Sequence, residues 1–530
     1  MTEFDGIVIG AGHNGLTLAA YLTRAGLRVA VVEKNAHAGG GCTTAEPILP
    51  GYRCNLHSNF YMGFRHSPLV GDLELHRFGF SYIDPPVQQA AAFRDGTCIV
   101  IHKDIERTCR SLARFSRRDA DTFRYLHDRY GVQMRPLLTS LQYNAPLAPE
   151  ELAGRLSGPQ GAEMLAHSRH DLFGVIRRYF EDERVISLFS SYMHVVTAEN
   201  QPGAGMLFPL LFSNVTGFAL PVGGSSAFTA ALQRVVDYGG GVVATGSEVR
   251  EIVTRGGRAT GVRLADGSEL TARHFVASGI DATTTMHLTG ADHFPVDVRR
   301  KLDSWHWGSH SLVTLHLALR DAPTYRAAAF DPDIARAFNI FFGMDDIAQV
   351  EQCFADCAAN RFPRTLMGNG ACNSKLDPTY APHGGHSAFW WPFAPYELDP
   401  AGDPSWEAGR KHYTGRLLSI WREYADNLTD GNVLGSHLFT PEDVERLNTN
   451  MVRGAVRMGA YIPGQLGINR PHPLLSGTRT PVTGLYLCGS STGNGGGING
   501  APGYIAANAI IDDLALAAPW TRVPAPEWAA

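Results

Sequence analysis

Residues 4–9, Phe4-Asp-Gly-Ile-Val-Ile9, end in an apolar run and read as a short buried strand of a parallel sheet. After a glycine-rich hexapeptide, residues 16–25 space their apolar positions as an amphipathic helix does, and Gly26 closes that helix as a C′ residue. Residues 28–32 then make a second apolar strand, with Glu33 at its end. A similar strand–turn–helix pattern returns at 485–489, 490–503 and 504–514. Between these ends, 242–244, 248–254, 259–264 and 269–271 alternate as short strands. The turn signals Arg255-Gly-Gly-Arg258 and Ala265-Asp-Gly267 mark them as a small antiparallel ribbon. The region from the first unit to Gly224 is largely helical. Within it Ser116-Arg-Arg-Asp119 predicts a capping box, Asp replacing Glu, that opens a helix to Tyr130. Residues 290–465 alternate loops with strand-like runs at 311–319 and 338–342.

The hexapeptide is Gly10-Ala-Gly12-His-Asn-Gly15. Between a strand and a helix, its glycines serve a tight turn, close approach to a pyrophosphate, and close helix–strand packing. The helix N-terminus favours the phosphate charge. Glu33 is placed to accept hydrogen bonds from ribose hydroxyls, and its charge disfavours a 2′-phosphate. His13 occupies a position of the turn that projects away from chemistry. The pattern predicts a dinucleotide site for NAD or FAD.

Composition narrows the picture. The chain has 530 residues, 44% hydrophobic and 18% charged, with net charge −5, an ordinary globular balance. An acidic chain lacks the basic surface that nucleic acid requires, so no such partner is expected. Glycine is over-represented, 57 residues against a usual ~7%, and clusters where backbone approaches a ligand. The most apolar stretch, 206–212, is far too short to span a membrane, so contact with membrane is at most peripheral. Eight cysteines form no C-x-x-C pair, and Cys353 and Cys357 fit ordinary packing in a helix. No secretory signal precedes the first strand. A reduced, cytoplasmic protein is expected, a monomer or homodimer, with no metal. The run Trp305-His-Trp-Gly-Ser-His310 lacks a third ligand at suitable spacing.

Several motifs run through the chain in one order. They are the first glycine turn with Glu33, the Gly39-Gly-Gly41-Cys42 loop, Pro221-Val-Gly-Gly224 and the strand around Val249. They continue with Val276-Ala-Ser-Gly279, Leu485-Tyr-Leu-Cys-Gly-Ser-Ser491 and Gly495-Gly-Gly-Ile-Asn-Gly-Ala-Pro-Gly-Tyr504. In this the chain resembles the phytoene desaturase family of flavoproteins, especially its phytoene-dehydrogenase-like branch, and amine oxidases more distantly. One departure stands out: Thr492-Gly493-Asn494 replaces the Thr-His-Pro usual in that branch.

The resemblance implies an α/β fold with a discontinuous Rossmann-like FAD-binding domain (1–70, 215–290 and 465–518). A mainly helical insertion (71–214), a mixed α+β substrate-binding domain (291–464) and a loose tail (519–530) complete the expectation. Non-covalent FAD would meet Gly10, Gly12, Asn14, Gly15, Glu33, Lys34, Gly40, Gly41, Cys42, Val249, Gly279, Gly489, Ser490, Gly497, Ile498 and Asn499. No Cys or His stands where the family would tether flavin.

The implied reaction is desaturation of a C–C bond in a largely apolar small molecule by hydride transfer to flavin N5. With a single dinucleotide unit, oxygen or a quinone-like acceptor would take the electrons. The chemistry-bearing candidates are His57, Asn494 and Trp391. Asn59, Tyr61, Phe208, Phe212, His386 and Trp390 are expected around the substrate. His57 is placed either as proton acceptor or as a hydrogen-bond partner of the ring. Two alternatives stay open: an amine oxidase using Trp390 and Trp391 as a cage, or a redox-neutral isomerase or hydratase using reduced FAD.

Overall fold

The computed structural model describes residues 3–526. Strand β1 (Glu3–Ile9), helix α1 (His13–Arg24) and strand β2 (Val29–Val32) form the opening unit. Gly26 takes φ +86° just past the helix, as a left-handed C′ residue does.

β1 lies at the centre of a seven-stranded sheet. On one side it pairs in parallel with β2, which in turn pairs with Val242–Ala244. On the other it pairs in parallel with the long strand Glu269–Ser278. That strand is shared. Its first half joins the antiparallel ribbon Val249–Arg255 and Arg258–Leu264, while its last residues pair with Leu485–Leu487. One sheet therefore collects strands from three separated parts of the chain. Helix α1 and the terminal helix Ala501–Asp513 pack on one face, burying Leu16, Leu18, Leu22, Ile505 and Ile510.

The second sheet has eight strands, centred on His386–Ala394. Residues 71–214 are helical for the most part, but two of their strands join this sheet. Val87–Ala92 and Cys98–His102 leave that region to extend this sheet, with Asn339 opposite Gln89 in parallel register. The helices from Ile105 to Asn214 cover it through an aromatic core that includes Phe123, Phe189 and Phe212. Ser116 caps its helix by accepting from the Asp119 N–H (3.1 Å). The reciprocal half of a capping box is missing, because the Asp119 carboxylate accepts from Glu181 and Asp182 N–H instead (2.9 Å each).

The tail also differs from expectation. Val523 N–H donates to Tyr504 Oη (2.8 Å), Trp520 Nε1 donates to Asn508 (3.0 Å), and Asn144 donates to the Pro524 carbonyl (2.9 Å). Buried aromatic packing of Trp520 on Tyr21 holds this segment. Residues 527–530 lie outside the described residues. Among the described residues, no helix is long and apolar enough to cross a membrane.

The buried histidines include those at 13, 57, 167, 194, 310 and 316. Burial pulls their pKa down from 6.5, to about 4 for the first three and His310 and to about 3 for His194 and His316. Unfolded imidazoles titrate near 6.5, so below that pH the unfolded chain binds protons that the folded chain refuses. Stability is then complete above about 6.5 and is lost as pH falls toward 4. His306, raised by its Glu199 partner, runs the other way but is one group. Lowering the pH from 7 to 5 is expected to remove at least ~3 kcal/mol. A thermal midpoint that stays flat or rises across that range would contradict this.

Candidate functional site

The first glycine turn is held by hydrogen bonds from its first two amides. Gly10 N–H donates to Val32 O (2.7 Å), fixing the turn between β1 and β2. Gly15 sits so close beneath it that an added Cβ would lie 2.2 Å from Gly10 O. Glu33 is buried at the end of β2, where its carboxylate oxygens accept from Ala11 and Asn35 N–H (2.9 Å each). Each oxygen keeps acceptor capacity for a ribose hydroxyl. Gly39 N–H donates to Ala11 O (2.9 Å), laying the second glycine loop against the first turn.

From the far end of the chain, Ser490 Oγ accepts from Asn14 Nδ2 (3.0 Å), and His13 Nε2 stands 3.1 Å from Gly497 O. The terminal helix can press on α1 because Gly503 has no side chain. A Cβ there would lie 2.2 Å from Asn14 O. Asn14 Oδ1 is buried without a donor, the complement of a sugar hydroxyl. These residues fit a dinucleotide such as FAD.

A continuous cavity of about 980 Å³ runs from this groove into the interior, at the upper end of ligand-pocket sizes. Its first part is lined by the glycine turns, Glu33, Lys34, Val249, Gly279, Ser490 and the 497–499 loop. Its inner part is apolar, walled by Phe60, Met62, Leu141, Met206, Leu210 and Trp391. His57 and Asn59 line it too, 4% and 1% exposed, and none of their side-chain polar atoms has a partner. Groups orphaned in this way are rare in folded proteins, and a ligand is one reason for them. Burial pulls the His57 pKa down to about 4, so its imidazole is neutral at physiological pH.

Several expected residues lie elsewhere. Adjacent residues of a strand point to opposite faces, so Trp391 faces the cavity while Trp390 is fully buried behind it, stacked on Phe342 (4.6 Å). The pair forms no cage. His386 is hydrogen-bonded to Ser374 Oγ (3.1 Å) at the start of that strand, away from the cavity. Tyr61 is held in the sheet–helix core, donating to Ser225 O (2.9 Å). Phe208 and Phe212 turn into the aromatic core against Tyr179 and Phe180, and their neighbours Met206, Leu207 and Leu210 meet the cavity instead.

Cys42 and Gly489 do not line the cavity either. Burial pushes both the Cys42 and Cys488 thiols up to about 12, leaving no nucleophilic thiolate beside the groove. Gly489 serves packing, since a Cβ would lie 2.7 Å from Ile280 O. Asn494 lines the cavity, and its side chain donates to Leu141 O (3.0 Å) and Asn144 O, bracing the altered loop against helix Arg135–Tyr143.

Asn448, Met451, Arg457 and Tyr461 also line the cavity. They come from an irregular segment with no motif to mark it. Glu33→Ala is expected to weaken FAD binding by roughly 1–3 kcal/mol, the scale of a lost charge-assisted hydrogen bond. Titration of apoprotein reads this directly; unchanged affinity would place the ribose elsewhere.

Comparison with known proteins agrees with this geometry. Residues 8–73 match the NAD(P)-binding Rossmann-like domain family. The chain is 32% identical to a subunit of limonene dehydrogenase from Castellaniella defragrans, over 98% of this chain and 96% of that one. It is 27% identical to hydroxyneurosporene desaturase of Cereibacter sphaeroides, over 96% and 98% respectively. Among solved structures, an oxidoreductase from Methanosarcina mazei shares the fold with a TM-score of 0.59 at 16% identity, covering 96% of this chain and 100% of that one.

Proposed function

The chain belongs to the phytoene desaturase-like family of FAD-dependent oxidoreductases, and from that membership we propose that it dehydrogenates a C–C bond of a compact, isoprenoid-like hydrocarbon. The observation that carries this reading is the apolar inner cavity, continuous with the dinucleotide groove. When bound, FAD supplies the two-electron acceptor. The chain's own residues do the rest. Phe60, Met206, Leu210 and Trp391 hold an apolar molecule and exclude water. His57, neutral and without a partner, takes the proton lost from the neighbouring carbon on a free ring nitrogen. Full-length similarity to a limonene dehydrogenase subunit supports a substrate of that chemical class.

The test is anaerobic bleaching of the bound flavin, near about 450 nm, across a panel of cyclic and acyclic alkenes, amines and NAD(P)H. Alkenes are expected to bleach it, with oxygen or a quinone restoring the colour. Bleaching by amines alone would reassign the enzyme as an amine oxidase. Rapid saturable reduction by NADH or NADPH would overturn the assigned acceptor. With no thiolate beside the groove, acid precipitation is expected to release the FAD; colour retained in the pellet would show a covalent link.

A further inference from the structure

Arg457 and Arg470 are two guanidinium groups in the interior with no carboxylate of the described residues beside them. Arg470 is fully buried and spends its donors on backbone carbonyls, among them Ser490 O (3.0 Å) and Gln465 O (3.3 Å). Arg457 donates to Gly496 O (2.6 Å) and to Val195 O, and it lines the cavity. Both lie against the Tyr461 ring, at 5.3 and 5.2 Å from its centroid. Tyr461 in turn donates to Gly495 O. The two charges thus grip the 490–497 loop, and Arg457 alone adds cavity surface.

A cation partly withdrawn from water and balanced only by carbonyl dipoles is costly, and it becomes favourable when a negative charge forms beside it. Resting on the reading of this cavity as a flavin site, we infer that Arg457 is the countercharge for the reduced isoalloxazine. Substrate oxidation delivers two electrons and one proton to the ring, leaving one negative charge on the N1–C2=O edge until a second proton arrives. The substrate's other proton goes to His57. Arg457 would stabilise that charge and so favour the reduced state over the oxidised one. Arg470 holds the Arg457 carbonyl as well as the loop, and is a positioning residue.

The test uses FAD-loaded wild type, Arg457→Gln and Arg457→Lys. For Arg457→Gln, affinity for reduced FAD is expected to fall at least tenfold more than affinity for oxidised FAD. That lowers the midpoint potential by about 30 mV for a two-electron couple. Arg457→Lys, which keeps the charge, should stay within threefold of wild type. An unchanged potential in Arg457→Gln overturns the inference. So does equal weakening of both oxidation states, the signature of a pyrophosphate contact, or a loss in Arg457→Lys as large as in Arg457→Gln.

Wild type provides a reading that needs no variant. Sulfite adds its lone pair to flavin N5 and displaces a pair into the same N1–C2=O edge, so the holoenzyme should form this adduct. A holoenzyme that binds no sulfite overturns the inference while leaving the flavin assignment intact. A wild type that takes up no FAD defeats both.

Discussion

Gly15→Val is expected to leave the protein without FAD. The added Cβ would lie 2.2 Å from Gly10 O and 3.2 Å from Val8 Cγ1. Gly10 cannot retreat, because its N–H is bonded to Val32 O and its φ of +92° suits glycine alone. The start of α1 must therefore move off the sheet by an ångström or so. Its free amides would then miss the phosphates, and misplacement on that scale can cost ~10²-fold. Flavin absorbance relative to protein after gel filtration should fall below about a tenth of wild type, with Gly15→Ala affected in the same direction. Normal flavin content in Gly15→Val would mean that α1 does not bear on the phosphates.

His57→Ala carries the second large effect. If the imidazole takes the proton that leaves carbon, its removal should slow flavin reduction by roughly 10²–10⁴-fold with FAD still bound. Stopped-flow reduction with substrate under anaerobic conditions measures this. Burial holds the free imidazole at about 4, so it stays in the accepting form as pH falls to about 5. The rate should decline only as pH passes through about 4, where the ring takes up a proton. His57→Gln should be as slow as His57→Ala, since an amide has no comparable basicity. A loss under roughly tenfold would limit His57 to orienting the ring.

Much of the cofactor end was legible before the structure, for a local reason. A strand, a turn with glycines at 10, 12 and 15, a helix and an acidic strand end lie within 33 residues. Each position states a backbone or charge requirement that few other residues can meet. The ribbon at 249–278 was legible through its Gly-containing turns, although its last strand runs seven residues beyond the expected 271 because it is shared with β1 and Leu485–Leu487.

The inner cavity was not legible in that way. Trp390 and Trp391 are adjacent and both sit in an apolar run, since both faces of a central strand are buried. Periodicity shows that their faces alternate, but not which face meets a cavity. The Met206–Phe212 stretch has the same ambiguity: its aromatics enter the helical core, and Met206 and Leu210 meet the ligand space. Arg457 and Asn494 depend on contacts with Val195 and Leu141, more than 250 residues away in the chain. So the sequence by itself determined the dinucleotide turn and its acidic partner, because those rest on short-range geometry and irreplaceable glycines. Only the tertiary structure decided which apolar and charged side chains surround the substrate, because burial looks alike from either face until distant segments close upon it.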